Sequence, residues 1–286
     1  MTARPRTRAA RAVLSAWLAS AISSAAISSA AGAVGCAAAR TVNGTRVEDL
    51  FADPRVRALA DAAGRGDAAE VARLAKAGVD PNGRGRDGMV PLIWAMGRRN
   101  PDGMRALLAA GADPNADGPP GLKPLALGAA SSDPRLLRVL LDAKGDPNAR
   151  NGAGEPLLFV AVLHDRAANM RLLLDRGADP NARNPGHTTP AVLAAGTSRW
   201  DLVALLLERG ADPQIPTSTG GTIAYRLERD GPARDAAVRR DQERVRALLV
   251  ARGVRFPAER PADVRARVFG PDDPIDAHRS GPSVPP

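Results

Sequence analysis

The residues that could carry chemistry are few and lie far apart in the sequence. The chain of 286 residues has one cysteine, Cys36, and three histidines, His164, His187 and His278. A single cysteine excludes an intramolecular disulfide and a thiolate zinc cluster. Neither the Gly-x-Ser-x-Gly motif of hydrolases nor the His-Glu-x-x-His motif of metalloproteases occurs. We therefore predict that the protein is not an enzyme and uses no metal or cofactor.

One glycine-rich segment, residues 83–88, matches the Gly-x-Gly-x-x-Gly pattern of dinucleotide-binding sites. That pattern binds a pyrophosphate only when a strand precedes it and a helix begins within it. Here the preceding Asp80-Pro81-Asn82 predicts a turn, because all three residue types favour turn conformations. We therefore expect an exposed turn at this position and no small-molecule substrate.

The N-terminus has the order of a secretory signal. Four arginines between residues 4 and 11 precede an uncharged stretch from Ala12 to Ala39, which is typical of exported proteins. Ala33-Val34-Gly35-Cys36 resembles a bacterial lipobox, whose cysteine is diacylated and becomes the new N-terminus. This resemblance implies a signal peptide over 1–35, a lipid anchor at Cys36 and a tether over 36–51. Cleavage after Ala39 would instead release a soluble periplasmic protein, and retention of the leader would leave a cytosolic one.

The net charge is smaller without this leader. The full chain has 40 Lys and Arg against 31 Asp and Glu, a net charge of +9. Removal of residues 1–35 takes away four arginines and no acid, which leaves +5. A basic excess can indicate nucleic-acid binding, but here part of it belongs to the targeting signal. We therefore predict no nucleic-acid partner.

A repeat organises the rest of the chain. Asp-Pro-Asn occurs at 80–82, 113–115, 146–148 and 179–181, and Asp-Pro-Gln at 212–214, each 33 residues after the last. Prolines at 91, 124, 156 and 190 are suited to the first position of a helix, and glycines at 111, 177 and 210 to the left-handed residue that ends one. The Asp and Asn side chains recur on separate repeats, too far apart to share a calcium ion. We therefore interpret them as structural.

This pattern resembles the ankyrin repeat. The resemblance implies an all-α solenoid of about six helix-turn-helix repeats with protruding turns, over residues 52–257. The fourth repeat has its proline one residue early, at Pro156, which predicts an early first helix. The last repeat is ten residues longer, and we expect the extra residues in the link around Asp230–Arg234. For the Pro-rich tail, 258–286, we expect a short capping helix followed by disorder.

The resemblance also implies a binding surface. In ankyrin stacks the turns and the exposed side of each first helix line a concave face, on which Trp and Arg are favoured anchors. The predicted partner-binding residues are Arg84, Arg86, Trp94, Arg98, Arg99, Arg150, Phe159, Leu163, Arg183 and His187. In an alternative interpretation, Trp94 and Phe159 fill the core and the arginines only confer solubility.

Repeats and export signal together are similar to the ankyrin-repeat lipoproteins that act as immunity proteins against type VI secretion lipase effectors in Gram-negative bacteria. This likeness implies a lipid-anchored periplasmic protein, monomeric until it binds and neutralises such an effector. One alternative is a periplasmic scaffold that supports another exported protein. The other is a cytosolic protein-interaction module.

Overall fold

The computed structural model describes residues 41, 42 and 44–270. The predicted signal peptide, Cys36 and the tail after Gly270 lie outside the described residues. Within them the chain forms fourteen α-helices and one antiparallel hairpin of β1 (Thr41–Val42) and β2 (Thr45–Arg46). The predicted all-α architecture is confirmed.

The helices come in pairs, one pair to a repeat. A short helix, α1 (Val47–Leu50), precedes the first pair, α2 (Pro54–Arg65) and α3 (Ala68–Lys76). The next four pairs are α4 (Pro91–Gly97) with α5 (Pro101–Ala109), α6 (Pro124–Ala130) with α7 (Pro134–Asp142), α8 (Leu157–Leu163) with α9 (Ala167–Asp175), and α10 (Pro190–Gly196) with α11 (Trp200–Glu208). The last pair, α12 (Ile223–Asp230) and α13 (Ala236–Ala251), is followed by α14 (Pro261–Phe269). None of the helices in the described residues is long and apolar enough to cross a membrane.

Contacts divide the described chain into two compact units. The first extends to Ala153 and includes Ala168–Arg176, and the second comprises Gly154–Ala167 and everything from Gly177. In the first unit, α2 packs on α4 and α5, and α3 packs on α5. In the second unit, α10 packs on α8 and α11, and α11 packs on α13. Each unit therefore buries its own apolar helix faces.

Local sequence explains where most helices begin. Proline occupies the first turn of α2, α4, α5, α6, α7 and α10, where its missing N–H costs nothing. The N-cap side chains of Asp53, Asn100 and Asp133 accept hydrogen bonds from backbone N–H groups of the first turn, at 2.7, 3.0 and 3.0 Å. These caps satisfy donors that the helix itself leaves unpaired.

The 33-residue period is strict in the first helices of the second to sixth repeats. The first repeat begins its helix at Pro54, and the others begin theirs at residues 91, 124, 157, 190 and 223. The prediction that the fourth repeat begins its helix early is therefore wrong. Pro156 is the N-cap residue, with φ −59° and ψ 150°. A shift of one residue would rotate the helix by about 100° and turn buried residues such as Leu157 and Val160 away from the core.

The segment predicted to be a tether is folded where the structure describes it. Its last part contains the hairpin and α1, and the side chains of Val47 and Phe51 are both 1% exposed. The described fold therefore begins before residue 52. The four residues of α1 are too few for sequence periodicity to reveal such a helix.

The extra residues of the last repeat lengthen its second helix. Helix α13 has 16 residues, whereas α5, α7, α9 and α11 have nine each. The link Gly231–Asp235 has five residues, against three in the link Thr197–Arg199. The expectation that the link takes up the insertion is therefore wrong for most of it. The sequence of α13 contains neither proline nor glycine, so it is compatible with a continuous helix over its whole length.

Two backbone positions show where packing overrules residue preference. A Cβ atom at Gly103 would overlap the carbonyl oxygen of Ala63, so α5 can approach α2 only with glycine there. Lys144 has φ 65° at the position where other repeats have Gly111 (φ 98°) and Gly177 (φ 84°). This left-handed conformation costs an L-residue about 1–2 kcal/mol.

Candidate protein-binding surface

The recurring Asp and Asn residues build the turns between repeats. In each turn an aspartate Oδ1 accepts a hydrogen bond from the backbone N–H two residues later, at 2.8 Å. The pairs are Asp80 with Asn82, Asp113 with Asn115, Asp146 with Asn148, Asp179 with Asn181 and Asp212 with Gln214. This is the Asx turn that the residue types favour.

Three of the asparagines, Asn82, Asn115 and Asn181, then connect their turn to the following turn of the same unit. Oδ1 of Asn82 accepts from the backbone N–H of Asp113 at 2.8 Å, and its Nδ2 donates to the carbonyl of Gly111 at 2.9 Å. Asn115 accepts in the same way from Asp146 at 2.9 Å, and Asn181 from Asp212 at 2.7 Å. The structural interpretation of these residues is confirmed. In the described part of the chain no group of three His, Cys, Asp or Glu side chains could hold a metal ion.

Two predicted anchors are buried. Trp94 is 1% exposed and packs on α2, where a Cβ at Gly64 would lie 2.8 Å from the indole nitrogen. Phe159 is 6% exposed. The prediction that these two side chains contact a partner from the surface is wrong, and the alternative, that they fill the core, is correct. The cause is tertiary, because Gly64 opens the space that Trp94 fills.

The predicted residues of the first unit lie on its turns and helix ends. Arg84, Arg86, Arg99 and Arg150 are exposed and Arg98 is half-buried. Nη1 of Arg84 donates to the carbonyl of Asp117 at 3.0 Å. The Asp117 carboxylate in turn pairs with Lys123 at 3.1 Å. Arg84 and Arg86 thus flank one turn, and Arg84 joins it to the turn of the next repeat.

The second unit holds the other three. Leu163, at the end of α8, is 54% exposed. Arg183 is half-buried, and His187 is exposed with φ 58°. The backbone N–H of His187 donates to the carbonyl of Asn184 at 2.9 Å, so Arg183 and His187 belong to the same turn. Each unit therefore presents exposed predicted residues at a turn.

The titratable groups with perturbed pKa values near these turns serve the fold. A hydrogen bond from Arg135 lowers the pKa of Asp133, the N-cap of α7. Burial lowers the pKa of His164, the residue that ends α8, and the positive charge of Arg166 adds to this effect. The causes of both shifts are therefore structural, a hydrogen bond at a helix cap and burial at a helix end.

One mostly exposed cluster is not among the predicted partner-binding residues, namely the arginines in residues 221–270. These residues carry a net charge of +5, whereas residues 41–220 carry +1. A count of charges repeat by repeat would therefore have found the cluster.

Comparison with known proteins identifies the repeats. A family model described as ankyrin repeats (3 copies) matches residues 125–217, and an ankyrin repeat model matches 87–118. No curated protein matches the sequence significantly.

The crystal structure of the ankyrin repeat domain of Bcl-3, an IkappaB family protein, is similar at 27% identity and a TM-score of 0.59, over 71% of this chain and 86% of that one. The ankyrin repeat protein EF0377 is similar at 25% identity and a TM-score of 0.57, over 68% and 97%. With the 33-residue period and the paired helices, these matches show that the chain contains ankyrin repeats and has the ankyrin-repeat fold.

Proposed function

We propose that this protein is a lipid-anchored immunity protein, which binds a type VI secretion lipase effector in the periplasm and neutralises it. Ankyrin repeats indicate a protein–protein interaction module. The observation that carries the finer proposal is the order of the chain, with the lipobox-like Ala33-Val34-Gly35-Cys36 directly before the repeats. An interaction module behind such a signal acts on proteins outside the cytoplasm.

The short distance between the anchor and the fold supports a site of action at the membrane. Cys36 lies five residues before Thr41, where β1 begins. Five extended residues span at most about 18 Å. A domain held so close to the bilayer can bind a lipase at the membrane surface, where the lipase must bind its lipid substrate.

The exposed turn residues supply the contacts in this proposal. Arg84, Arg86 and His187 are exposed on turns, and Leu163 is an exposed apolar residue at a helix end. Arginine anchors and apolar contacts are both typical of protein interfaces. The bound array blocks either the active site of the effector or its contact with the membrane.

The decisive experiment asks whether a type VI lipase effector is encoded beside this gene and whether the full chain protects cells from that lipase. We expect co-expression of the full chain to restore growth of cells that export the lipase to their periplasm, and the two proteins to co-purify. A catalytically inactive lipase is the control for toxicity. Toxicity that persists despite abundant full-length protein, together with failure to co-purify, would refute the proposal. A neighbouring gene for a protective enzyme that co-purifies would indicate a scaffold instead.

The anchor is tested separately by Cys36→Ser. We expect this variant to lose palmitate labelling and to protect less well, because it is no longer held at the membrane. Ala39→Ser is the matched control, since it leaves the lipobox cysteine in place. Labelling that persists in Cys36→Ser would show that the anchor is elsewhere.

A further inference from the structure

Within residues 41–270 the positive charge is concentrated in the last fifty residues. Residues 221–270, which we call the basic terminus, contain twelve arginines, no lysine and seven acidic residues, a net charge of +5. Residues 41–220 contain 22 basic and 21 acidic residues, a net charge of +1. The charge that remains without the leader therefore belongs to the last repeat and α14.

Several of these arginines are engaged in the fold. Arg252 donates to the carbonyls of Leu207 and Ala211, the second at 3.3 Å. The guanidinium of Arg246 lies 4.1 Å from the centre of the Phe256 ring. Arg267 pairs with Glu259 at 2.8 Å. These contacts hold α13 on α11 and shape the segment between α13 and α14.

Arg255 has no such structural use. Its side chain is exposed, and it makes no hydrogen bond or ion pair with any residue in 44–270. A guanidinium presents five donors in a planar fork, and it pairs with a carboxylate through two parallel hydrogen bonds. Arg255 is therefore free to bind an acid from another molecule.

A groove beside Arg255 is large enough for a peptide segment. It lies between the turn after α11 and the segment that joins α13 to α14, and its volume is about 530 Å³. Gln214, Thr222 and Val264 are among the residues that line it, and so are Arg267 and Glu259, whose charges are paired with each other. Its volume is typical of ligand-binding pockets. The amide, hydroxyl and valine side chains suit a polypeptide backbone with small apolar side chains.

The surroundings favour a protein ligand over a nucleic acid. Single-stranded nucleic acids are bound by aromatic side chains on which bases stack. In the basic terminus the aromatic residues are Tyr225, Phe256 and Phe269, all half-buried, and Arg246 covers Phe256. The cations are all arginine, the basic residue enriched at protein interfaces, where lysine is depleted.

We propose that this groove binds an extended acidic segment of a partner protein, with one carboxylate paired to Arg255. This surface uses none of the residues on which the immunity proposal rests, so either proposal can fail alone. An acidic segment gains from the field of the whole basic terminus as it approaches, whereas Arg255 fixes its position in the groove.

The test is fluorescence anisotropy with the full chain and a labelled 12-residue peptide of repeated Asp-Leu-Glu, at about 150 mM salt to suppress unspecific attraction. We expect binding by the wild type, and about tenfold weaker binding by Arg255→Gln, because it loses a charge-assisted hydrogen bond pair. Arg255→Lys keeps the charge without the fork, and we expect an intermediate loss. Arg229→Gln is the matched control, an equal charge change at an exposed position outside the groove, and we expect less than about a twofold effect.

Several outcomes would overturn the proposal. Equal weakening by Arg255→Gln and Arg229→Gln would mean a general electrostatic attraction without a site. Equal binding of a peptide with Asn and Gln in place of the acids would mean that the groove does not select carboxylates. Stronger competition by an oligonucleotide of the same charge would indicate a phosphate site, and failure of the wild type to bind the acidic peptide would exclude the site altogether.

Discussion

Neighbouring repeats are joined by one kind of contact in the regular repeats and by another kind in the basic terminus. In the regular repeats, asparagines such as Asn82 and Asn181 reach forward to the next turn with short amide hydrogen bonds. In the last turn Gln214 takes the asparagine position, and its side chain makes no hydrogen bond within residues 44–270. There Arg252, the C-cap residue of α13, donates hydrogen bonds to the carbonyls of Ala211 and Leu207.

The family pattern therefore constrains the sequence of the regular repeats more than that of the last repeat. A regular repeat must match a neighbour on each side, so its length, turn chemistry and near-neutral charge are kept. The last repeat has a neighbouring repeat on only one side. Its second helix has 16 residues in place of nine, and it carries the charge excess. The regular repeats therefore carry the recurring contacts between turns, and the last repeat carries the distinctive charge of the surface.

The largest expected effect comes from breaking the close packing of the regular repeats. Gly103→Ala places a methyl group against the backbone of Ala63, and we expect a loss of about 3 kcal/mol in the free energy of unfolding. Gly196→Ala is the matched control, because a Cβ at this helical glycine meets nothing within 4 Å. We expect it to be neutral or stabilising by up to about 1 kcal/mol. Urea unfolding measures both, and equal effects would refute the close approach of α5 to α2.

The next effect compares the two kinds of turn directly. Asn82→Ala removes two hydrogen bonds to the following turn, and we expect a loss of about 1–2 kcal/mol. Gln214→Ala, at the same place in the last turn, should change stability by less than about 0.5 kcal/mol. Chemical denaturation of the two variants decides the point. A Gln214→Ala loss as large as that of Asn82→Ala would erase the distinction between the turns.

A smaller effect concerns the exception within the regular repeats. Lys144→Gly relieves the left-handed conformation of Lys144, and we expect a gain of about 0.5–1 kcal/mol, since greater freedom of the unfolded glycine offsets part of the relief. Gly177→Ala, at the equivalent position of the next repeat, should lose a similar amount. Thermal unfolding would contradict this if Lys144→Gly lowered the melting temperature.

The smallest effect is a pH dependence inside the regular repeats. Because the pKa of His164 is lowered in the fold, the unfolded chain binds a proton at a higher pH than the folded chain does. His164 therefore makes its full contribution to the stability of the fold above the ordinary histidine pKa of about 6.5. This contribution is lost as the pH falls below that value. We expect less than about 1 kcal/mol of lost stability between about pH 7.5 and 5.5.

Substitution isolates this group. His164→Gln should remove that part of the pH dependence, whereas His187→Gln, at an exposed turn, should leave it in place. Denaturation curves at several pH values measure the difference, and an unchanged slope in His164→Gln would refute the assignment.

The sequence predicts the fold almost completely, because a 33-residue period repeats the same local signals several times. The helix starts at prolines, the N-caps and the left-handed glycines each depend only on residues that are close in sequence. Features that depend on distant residues could not be predicted in the same way. Burial of Trp94 depends on the missing side chain of Gly64, thirty residues earlier, and burial of Phe51 on the core that α1 and α2 adjoin.

The candidate surface was predicted less well for a related reason. Position in a repeat identifies residues near the turns, and Arg84, Arg86, Arg99 and Arg150 are exposed as expected. Whether an exposed arginine is engaged by the fold depends on carbonyls and carboxylates far away in sequence. Arg252 and Arg255 differ by three positions, yet only one is used to hold helices together.

The in-register start of α8 has a consequence for how such arrays diverge. Pro156 has moved by one residue while the helix it precedes has not. The position of the proline within a repeat can therefore shift by one residue, whereas the helix face that contacts the neighbouring helices is retained. An alignment of repeats anchored on prolines would displace this one by a residue, and one anchored on buried side chains would superimpose all five.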